Sequence, residues 1–475
     1  MTNPAPQITS PFPAATADQW RSLVEKTLKD APFESLRKAT PEGLAIEPLY
    51  EAPDNAPVLA TRPYDVERPW DLRVATTHPD PAAARNQLIR DLEGGAASVL
   101  VRLDPTGQAG VAVGSPEALA KALDGVLVEL APVALDAGFL GPKAADWLSA
   151  FAKSAPNALL AFHMDPLSAF AEAGESPGPV ESHLVSAATV GARLAEIYPK
   201  ATLFLASGRV VHEAGGGEAG ELAFAIASAI AYAKAAVVAG MSMEDAFSRI
   251  VLGLSADVDY FLTIAKLRAA RLLWAQVTAA CGVSVPARIE ARSSARMLAA
   301  QDAWTNMLRL TSAAFGASVG GADAVVLGAF TDPLGPPTAF ARRQSRNTQL
   351  VLMEEAHLGR VADPAAGAGY VETLTDEIAR AAWTQVQAIE AKGGLINALA
   401  AGLVADEVAK VVAARDPKPR IVGVTAFPPT QQAPVEVERV TPKAVDAPSP
   451  RLPGPDGHCP PLRPIRLAQA HEAAQ

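Results

Sequence analysis

The sequence predicts an α/β fold: a closed (β/α)8 TIM barrel with an extended and helical leader, a helical block and a Pro-rich tail. Three observations carry this. From about Asp71 onward, short apolar runs alternate with helical stretches. The runs are apolar throughout, as in parallel strands covered on both faces by helices. Seven or eight such units within roughly 300 residues suit a closed barrel better than an open sheet.

The elements follow in chain order. Ala17–Leu28 sets Trp20, Leu23, Val24 and Leu28 on one helical face. A polar extended segment then runs through Pro48-Leu49-Tyr50 to Arg68-Pro69-Trp70. Residues 1–70 thus form a leader with no core of its own, which has to pack against another surface. Strands are expected at Leu72–Ala75, Ala97–Arg102, Val126–Leu130, Ala158–Phe162, Thr202–Ala206, Ala287–Ala291 and Ala324–Leu327, with an eighth near Arg360–Ala362. Helices are expected at Pro81–Leu92, Pro116–Leu123, Ala144–Lys153, Leu184–Ile197 and Leu222–Ala239. These place the barrel at 71–371. A helical extension over 372–415 contains the block Glu372–Val412, and 416–475 is a linker or tail. Asp416–Pro464 holds 13 of the 40 prolines, the composition of an extended, wrapping segment.

Composition excludes several function classes. With 49% hydrophobic residues and only 5% aromatic, the 475-residue chain builds its core from small aliphatic side chains. A net charge of −10 argues against nucleic acid and anionic membranes as partners. Cys281 and Cys459 imply neither a disulfide framework nor a zinc site, and His458 beside Cys459 lies in the tail. Met1–Pro13 lacks the pattern of a signal peptide. Leu222–Met241 is interrupted by Tyr232, Lys234 and Gly240 and reads as a buried helix. A cytoplasmic protein is expected.

Several motifs offer chemistry and are outweighed. Gly215-Gly216-Gly217-Glu218-Ala219-Gly220 fits GxGxxG, but a dinucleotide site also needs an acidic residue closing the next strand, which falls only near Ala287. A plain βα loop is preferred. Asp456-Gly457-His458 has the start of a cobalt-ligating DxHxxG but carries Pro461 at its glycine position. His212-Glu213, on a loop after a strand, could be an acid/base pair but lacks a supporting context, and His163/Asp165 sits at a plausible barrel mouth with no identifiable third group. For His212 a solvated or core-edge scaffold position is preferred. Asp363-Pro364 with Gly367 and Gly369 reads as a capped turn. Lys266, Arg268 and Arg271 read as a solvated face or structural ion pairs.

One string stands out: Ser345-Arg346-Asn347-Thr348-Gln349 through Glu354-Glu355, then Val361-Ala362-Asp363-Pro364 to Glu372. It resembles the RNTQ…EE…VxDPxxGxxxxE string of adenosylcobalamin-dependent acyl-CoA mutases, above all the methylmalonyl-CoA mutase family. Phe12-Pro13 to Trp20, Leu28 to Glu34, Ile46 to Tyr50, Arg68 to Arg73 and Tyr260–Ala275 are similar to further family segments.

The departures are informative. Where the family reads RPWxIRQYAG, with a tyrosine over the substrate acyl group, this chain has Ala75. In the family's SGYHMQEAG, a tyrosine is followed by a histidine that bonds the thioester carbonyl. Arg209 and Val210 stand at those two positions, with His212 two places late. HCQTSG becomes Glu290-Ala291-Arg292-Ser293-Ser294-Ala295. A buried Glu290 needs a cation such as Arg292, and Arg209, Glu290 and Arg292 should plug the channel that threads the family's pantetheine arm.

The resemblance therefore implies the small, non-catalytic subunit of a heterodimeric methylmalonyl-CoA mutase. No catalytic, cofactor-binding or metal-binding residue is expected, nor a cobalamin-binding domain. A homologous large catalytic subunit is expected as partner and holder of adenosylcobalamin, with the leader and tail wrapping that interface. Two alternatives are the barrel half of a split acyl-CoA mutase and a non-catalytic barrel that binds an acyl-CoA or another metabolite. In the second, Arg209 and Arg292 could grip a carboxylate.

Overall fold

Eight strands close on themselves, six of them at the expected apolar runs. The computed structural model describes residues 15–472 apart from 54–57, 60–61, 63–64 and 66. Phe12-Pro13 of the leader string lies outside them. The strands are β1 (Asp71–Thr76), β2 (Ser98–Arg102), β3 (Val133–Asp136), β4 (Leu160–Met164), β5 (Thr202–Ser207), β6 (Ile250–Ala256), β7 (Ile289–Ser293) and β8 (Ala324–Val326). All pairings are parallel, and β8 returns to β1 to complete the barrel.

The helices before β5 are α1 (Ala17–Leu28), α2 (Pro81–Glu93), α3 (Pro116–Leu123), α4 (Gly141–Phe151), α5 (Pro166–Ala173) and α6 (Val180–Ile197). After it come α7 (Arg209–Glu213), α8 (Glu218–Val238), α9 (Met243–Ser248), α10 (Tyr260–Ala280), α11 (Asn306–Val319) and α12 (Ala339–Leu350). The block after the barrel is α13 (Gly369–Ala391), α14 (Leu395–Ala400) and α15 (Leu403–Ala414). Capping follows the sequence: Thr16 opens α1 with a capping box, and Asp80 and Ser115 cap α2 and α3 ahead of a first-turn proline.

Two strand expectations are corrected. Val126–Leu130 is a turn with Leu127 and Leu130 exposed, and β3 begins after it at Val133. Arg360–Ala362 is a loop with Val361 exposed. The remaining strand is β6, buried along its whole length and hidden in the sequence directly behind α9. Its Gly253 packs closely, since a Cβ there would lie 3.0 Å from the Ser207 side chain and would need that neighbour to shift. A long-range fit of this kind leaves no local signal.

The main core lies between the strands' outer faces and the helices, where Val99, Val133, Leu203, Leu252 and Ile289 meet Leu88, Leu148, Leu222 and Trp274. Alternate residues face inward. Leu100, Ala134, Ala161 and Val326 make a separate small cluster inside the barrel, joined by Ala75. Helix α8 is long and apolar enough to cross a bilayer, but 67% of its most apolar window is buried in the protein, as expected of a core helix.

The tail crosses the C-terminal ends of the strands. Cys459, Leu462, Ile465 and Leu467 donate backbone N–H groups to Gly174, Ala171, Glu213 and Arg296. Its hydrogen bonds thus go to its own barrel mouth.

Candidate functional site

Inside the barrel, inward-facing charges on β1, β3 and β7 form a ladder. Arg73 bonds Asp71 (2.7 Å) and Ser98 (2.9 Å) at the lower end. Its Nη1 meets Glu290 Oε2 at 2.5 Å, and Glu290 Oε1 accepts from Arg292 Nε at 2.6 Å. Arg292 Nη1 then reaches Asp136 at 2.8 Å. Glu290 is 1% exposed. Burial would raise its carboxyl, but Arg292, His163 and Arg73 hold it well below the usual carboxylate range. The cation that Glu290 required is therefore present twice, as Arg292 and as Arg73. This ladder fills the axis below the mouth.

Above it is a cavity of about 540 Å³, lined among others by His163, Asp165, Arg209, Val210 and Arg292 and bordered by Leu462 of the tail. Three of the family departures (Arg209, Val210, Arg292) thus line one space, and Glu290 and Ala75 lie beneath it inside the barrel. Arg209 Nη2 is 3.4 Å from Glu213, whose carboxylate accepts N–H bonds from Ala295 and Arg296.

His163 holds a left-handed φ of 47° where the register against β5 shifts. Burial, with Arg73 and Arg292 adding to it, pushes its imidazole down to about 4, so it is neutral at pH 7. Asp165 caps α5 and accepts from Ser168 N and Tyr232 Oη (2.6 Å), and burial raises it to about 6. The two residues share the cavity, each with its own surroundings, and Asp165 is engaged elsewhere.

His212 and Glu213 also diverge. The scaffold position preferred for His212 holds, but it is fully buried rather than solvated. Its ring lies 3.3 Å from Glu221, 3.2 Å from Asp257 and 2.9 Å from Ser294 Oγ. Lys266 meets Glu221 at 2.5 Å and Arg296 meets Asp257 at 2.6 Å, completing a network behind β5–β7. Burial opposes ionisation of Glu221, yet Lys266 and His212 bring it down to about 2. Arg268 pairs with Asp363 and Glu372, and Arg271 with Asp323. Lys266, Arg268 and Arg271 are therefore buried structural ion pairs, and the solvated-face alternative is corrected.

The glycine loop is occupied by the chain itself. Glu42 accepts from the N–H groups of Ala219 and Gly220 at 3.0 and 3.1 Å, at the start of α8. A Cβ on Gly217 would lie 2.0 Å from Glu42 Cδ. The βα-loop reading stands on corrected grounds: the next strand is β6, and the acid at its end, Asp257, is bound to Arg296. Gly457-His458 pairs with Glu175-Ser176, and Asp456 accepts from Gly178 N and Arg451. That tripeptide fastens the tail to the barrel. Among the described residues, no group of three or more His, Cys, Asp and Glu side chains is placed to hold a metal ion.

The family string serves the scaffold. Gln349 accepts from Trp70 Nε1 at 3.1 Å, Arg346 bonds Asp91, and Ser345 Oγ donates to Gly328 O. Sequence reasoning missed Glu42 and the partners Asp71, Arg73 and Asp136. Charges two apart within apolar strands, as at Asp71/Arg73 and Glu290/Arg292, were the available signal for the ladder. Glu42 left none.

A family model described as methylmalonyl-CoA mutase matches residues 64–450. The chain is 40% identical over 457 residues to the methylmalonyl-CoA mutase small subunit of Streptomyces virginiae, covering 90% of this chain and 73% of that protein. The small subunit of Propionibacterium freudenreichii subsp. shermanii is 35% identical, over 82% of this chain and 64% of its own length. A probable small subunit of Mycobacterium tuberculosis (strain ATCC 25618 / H37Rv) is 38% identical, over 78% and 62%. With a closed parallel barrel and a family match over most of its length, the chain belongs to the methylmalonyl-CoA mutase family.

Proposed function

We propose that this chain is the non-catalytic small subunit of a heterodimeric, adenosylcobalamin-dependent methylmalonyl-CoA mutase. Its partner is a homologous large chain that holds the cofactor and interconverts (R)-methylmalonyl-CoA and succinyl-CoA in the cytoplasm. This chain gives the partner stability and solubility. Paired homologous barrels are the ordinary outcome when a duplicated homodimer diverges.

The observation that carries this reading is the axis. Where the family strings have tyrosine, histidine and glutamine, this chain has Ala75, Val210 and Arg292, beside Arg209 and Glu290. Valine cannot donate to a thioester oxygen, and the ladder of Arg73, Glu290 and Arg292 lies on the barrel axis, where the family resemblance implies a pantetheine arm would run. The small-subunit names of the relatives agree with it. On this reading the cofactor is held by the partner, and no chemical step is assigned to this chain.

The test is capture of the tagged chain from its native cells, with the partner's mass and ratio determined. A one-to-one partner, larger than this chain and carrying cobalamin, is expected. A partner consisting only of a cobalamin domain would replace this reading with the split enzyme.

A further inference from the structure

Outside the barrel, the leader, α8, α13 and α15 enclose a second cavity, of about 550 Å³. It shares no lining residue with the mouth cavity. Its floor is Phe224 and Ile389, both buried, while Pro41, Ala388, Leu403 and Val411 are apolar walls that keep exposed surface. The volume lies within the range of about 300–1,000 Å³ typical of ligand pockets, which are mostly apolar with a few placed polar groups.

Five polar side chains line it, and three are engaged with the chain itself or with each other. Glu407 and Lys410 pair at 2.5 Å, and Thr384 Oγ1 donates to Arg380 O. The other two converge on Gly220: Gln385 Oε1 and Glu42 Oε1 lie 3.5 and 3.9 Å from where a Cβ on that residue would stand. Gln385 has no hydrogen-bond partner among the described residues. Glu42 takes the N–H groups of Ala219 and Gly220, but its two oxygens offer about four acceptor positions. It has no ion-pair partner among the described residues, because Arg415 nearby donates instead to the carbonyls of Gly215 and Gly216. Burial, and then Glu218, raise its carboxyl, so its negative charge is under-compensated where it sits.

Acceptors at one end of an apolar space select a ligand with a cationic donor at one end of a hydrocarbon chain. We propose that this cavity binds a primary aliphatic amine, its ammonium held by Glu42 and the Gln385 amide oxygen and its chain against Ala388, Leu403 and Val411. An ammonium carries three donors and no acceptor, and its charge supplies the counter-ion that Glu42 lacks. A carboxylate of the same chain length would face Glu42, Glu218 and Glu407, and an alcohol would leave the charge uncompensated. The site uses nothing of the barrel axis and stands whether or not the chain pairs with a catalytic partner.

The experiment is isothermal titration of the full chain, in whatever assembly it purifies, with hexylamine, hexanol and hexanoate at pH 8, where Glu42 is ionised. Each is compared between the natural protein, Glu42→Gln and Ala388→Trp. Hexylamine is expected to bind once per chain at millimolar concentration or below, and at least about tenfold more weakly to Glu42→Gln. Hexanol is expected to bind more weakly than hexylamine by a similar factor, and hexanoate more weakly still. Ala388→Trp places a large ring in the cavity from an exposed position and is expected to abolish hexylamine binding, so it decides the matter if Glu42→Gln fails to fold. Because only this chain is altered, the difference reports on its cavity even in a complex. Absence of hexylamine binding at millimolar concentration overturns the proposal. So does binding to either folded variant as tight as to the natural protein, or binding of hexanol or hexanoate as tight as hexylamine's.

Discussion

Behind β5–β7 and along the barrel axis, the protein buries two charge systems of different design. The flank network joins Lys266, Glu221, His212, Asp257 and Arg296, and Glu221 also takes the Ser255 N–H at 2.5 Å. It ties α8, α10 and the loops after β6 and β7 to one another, with His212 Nδ1 and Arg296 Nε left without hydrogen-bond partners. The axis ladder of Asp71, Arg73, Glu290, Arg292 and Asp136 joins strands across the barrel and stops at a cavity, with donors left over. Arg73 and Lys266 lie in segments similar to the family's, whereas His212, Glu290 and Arg292 stand where its strings differ. The contrast teaches that family resemblance does not separate the two systems. Position does: one ties helices to loops on the barrel's flank, and the other joins strands across its axis.

Removing one end of the flank network should have the largest effect. Lys266→Met leaves Glu221 fully buried beside a neutral side chain, an expected loss of about 3–5 kcal/mol in urea unfolding. A loss under about 1 kcal/mol would mean His212 alone suffices as counter-charge.

Glu290→Gln tests the ladder the same way. It leaves Arg73 and Arg292 facing a neutral amide, at an expected cost of about 3 kcal/mol. The triple replacement Arg73→Met, Glu290→Leu and Arg292→Met should recover at least half of that, because no charge is left stranded. If the triple variant is instead the worse folder, the ladder itself holds the barrel together.

A smaller effect is set by pH at the leader. Burial, and then Glu218, raise the Glu42 carboxyl to about 7 against helix N–H bonds that pull it down. The folded chain therefore holds this proton more tightly than the unfolded chain does. That contribution is full below about pH 4.5 and is lost as pH rises through 7, on the order of 1 kcal/mol for a half-buried group. Glu221 runs the opposite way: its contribution is full above about pH 4.5 and is lost as pH falls toward 2. Melting temperatures at pH 5 and pH 8 should separate the natural protein from Glu42→Gln, whose profile is flatter. Parallel profiles would remove Glu42 as the cause.

Arg209→Gln should cost least, under about 0.5 kcal/mol, because its single ion-pair contact is long and partly exposed. A cost like that of Glu290→Gln would make Arg209 part of the ladder and not of the cavity.

Much of the fold is legible in the chain's own order. The runs around Leu72–Ala75, Thr202–Ala206 and Ala324–Leu327 mark their strands, since alternation of strand and helix is a pattern between neighbours. Val126–Leu130 misled because its apolar residues are a mixed set, Val126 and Val128 buried but Leu127 and Leu130 exposed, which only the folded surroundings decide. The sequence by itself determined the barrel class, the family and where the chain differs from the family's strings. Tertiary structure decided that Arg73 meets Glu290 across 217 positions and that Arg292 meets Asp136 across 156. It also decided that Glu42 fills the glycine loop and that the tail covers the mouth. Helical and strand periodicity is written within a few residues, but an ion pair or a cavity exists only once barrel closure brings distant strands to one axis, and no local pattern encodes that meeting.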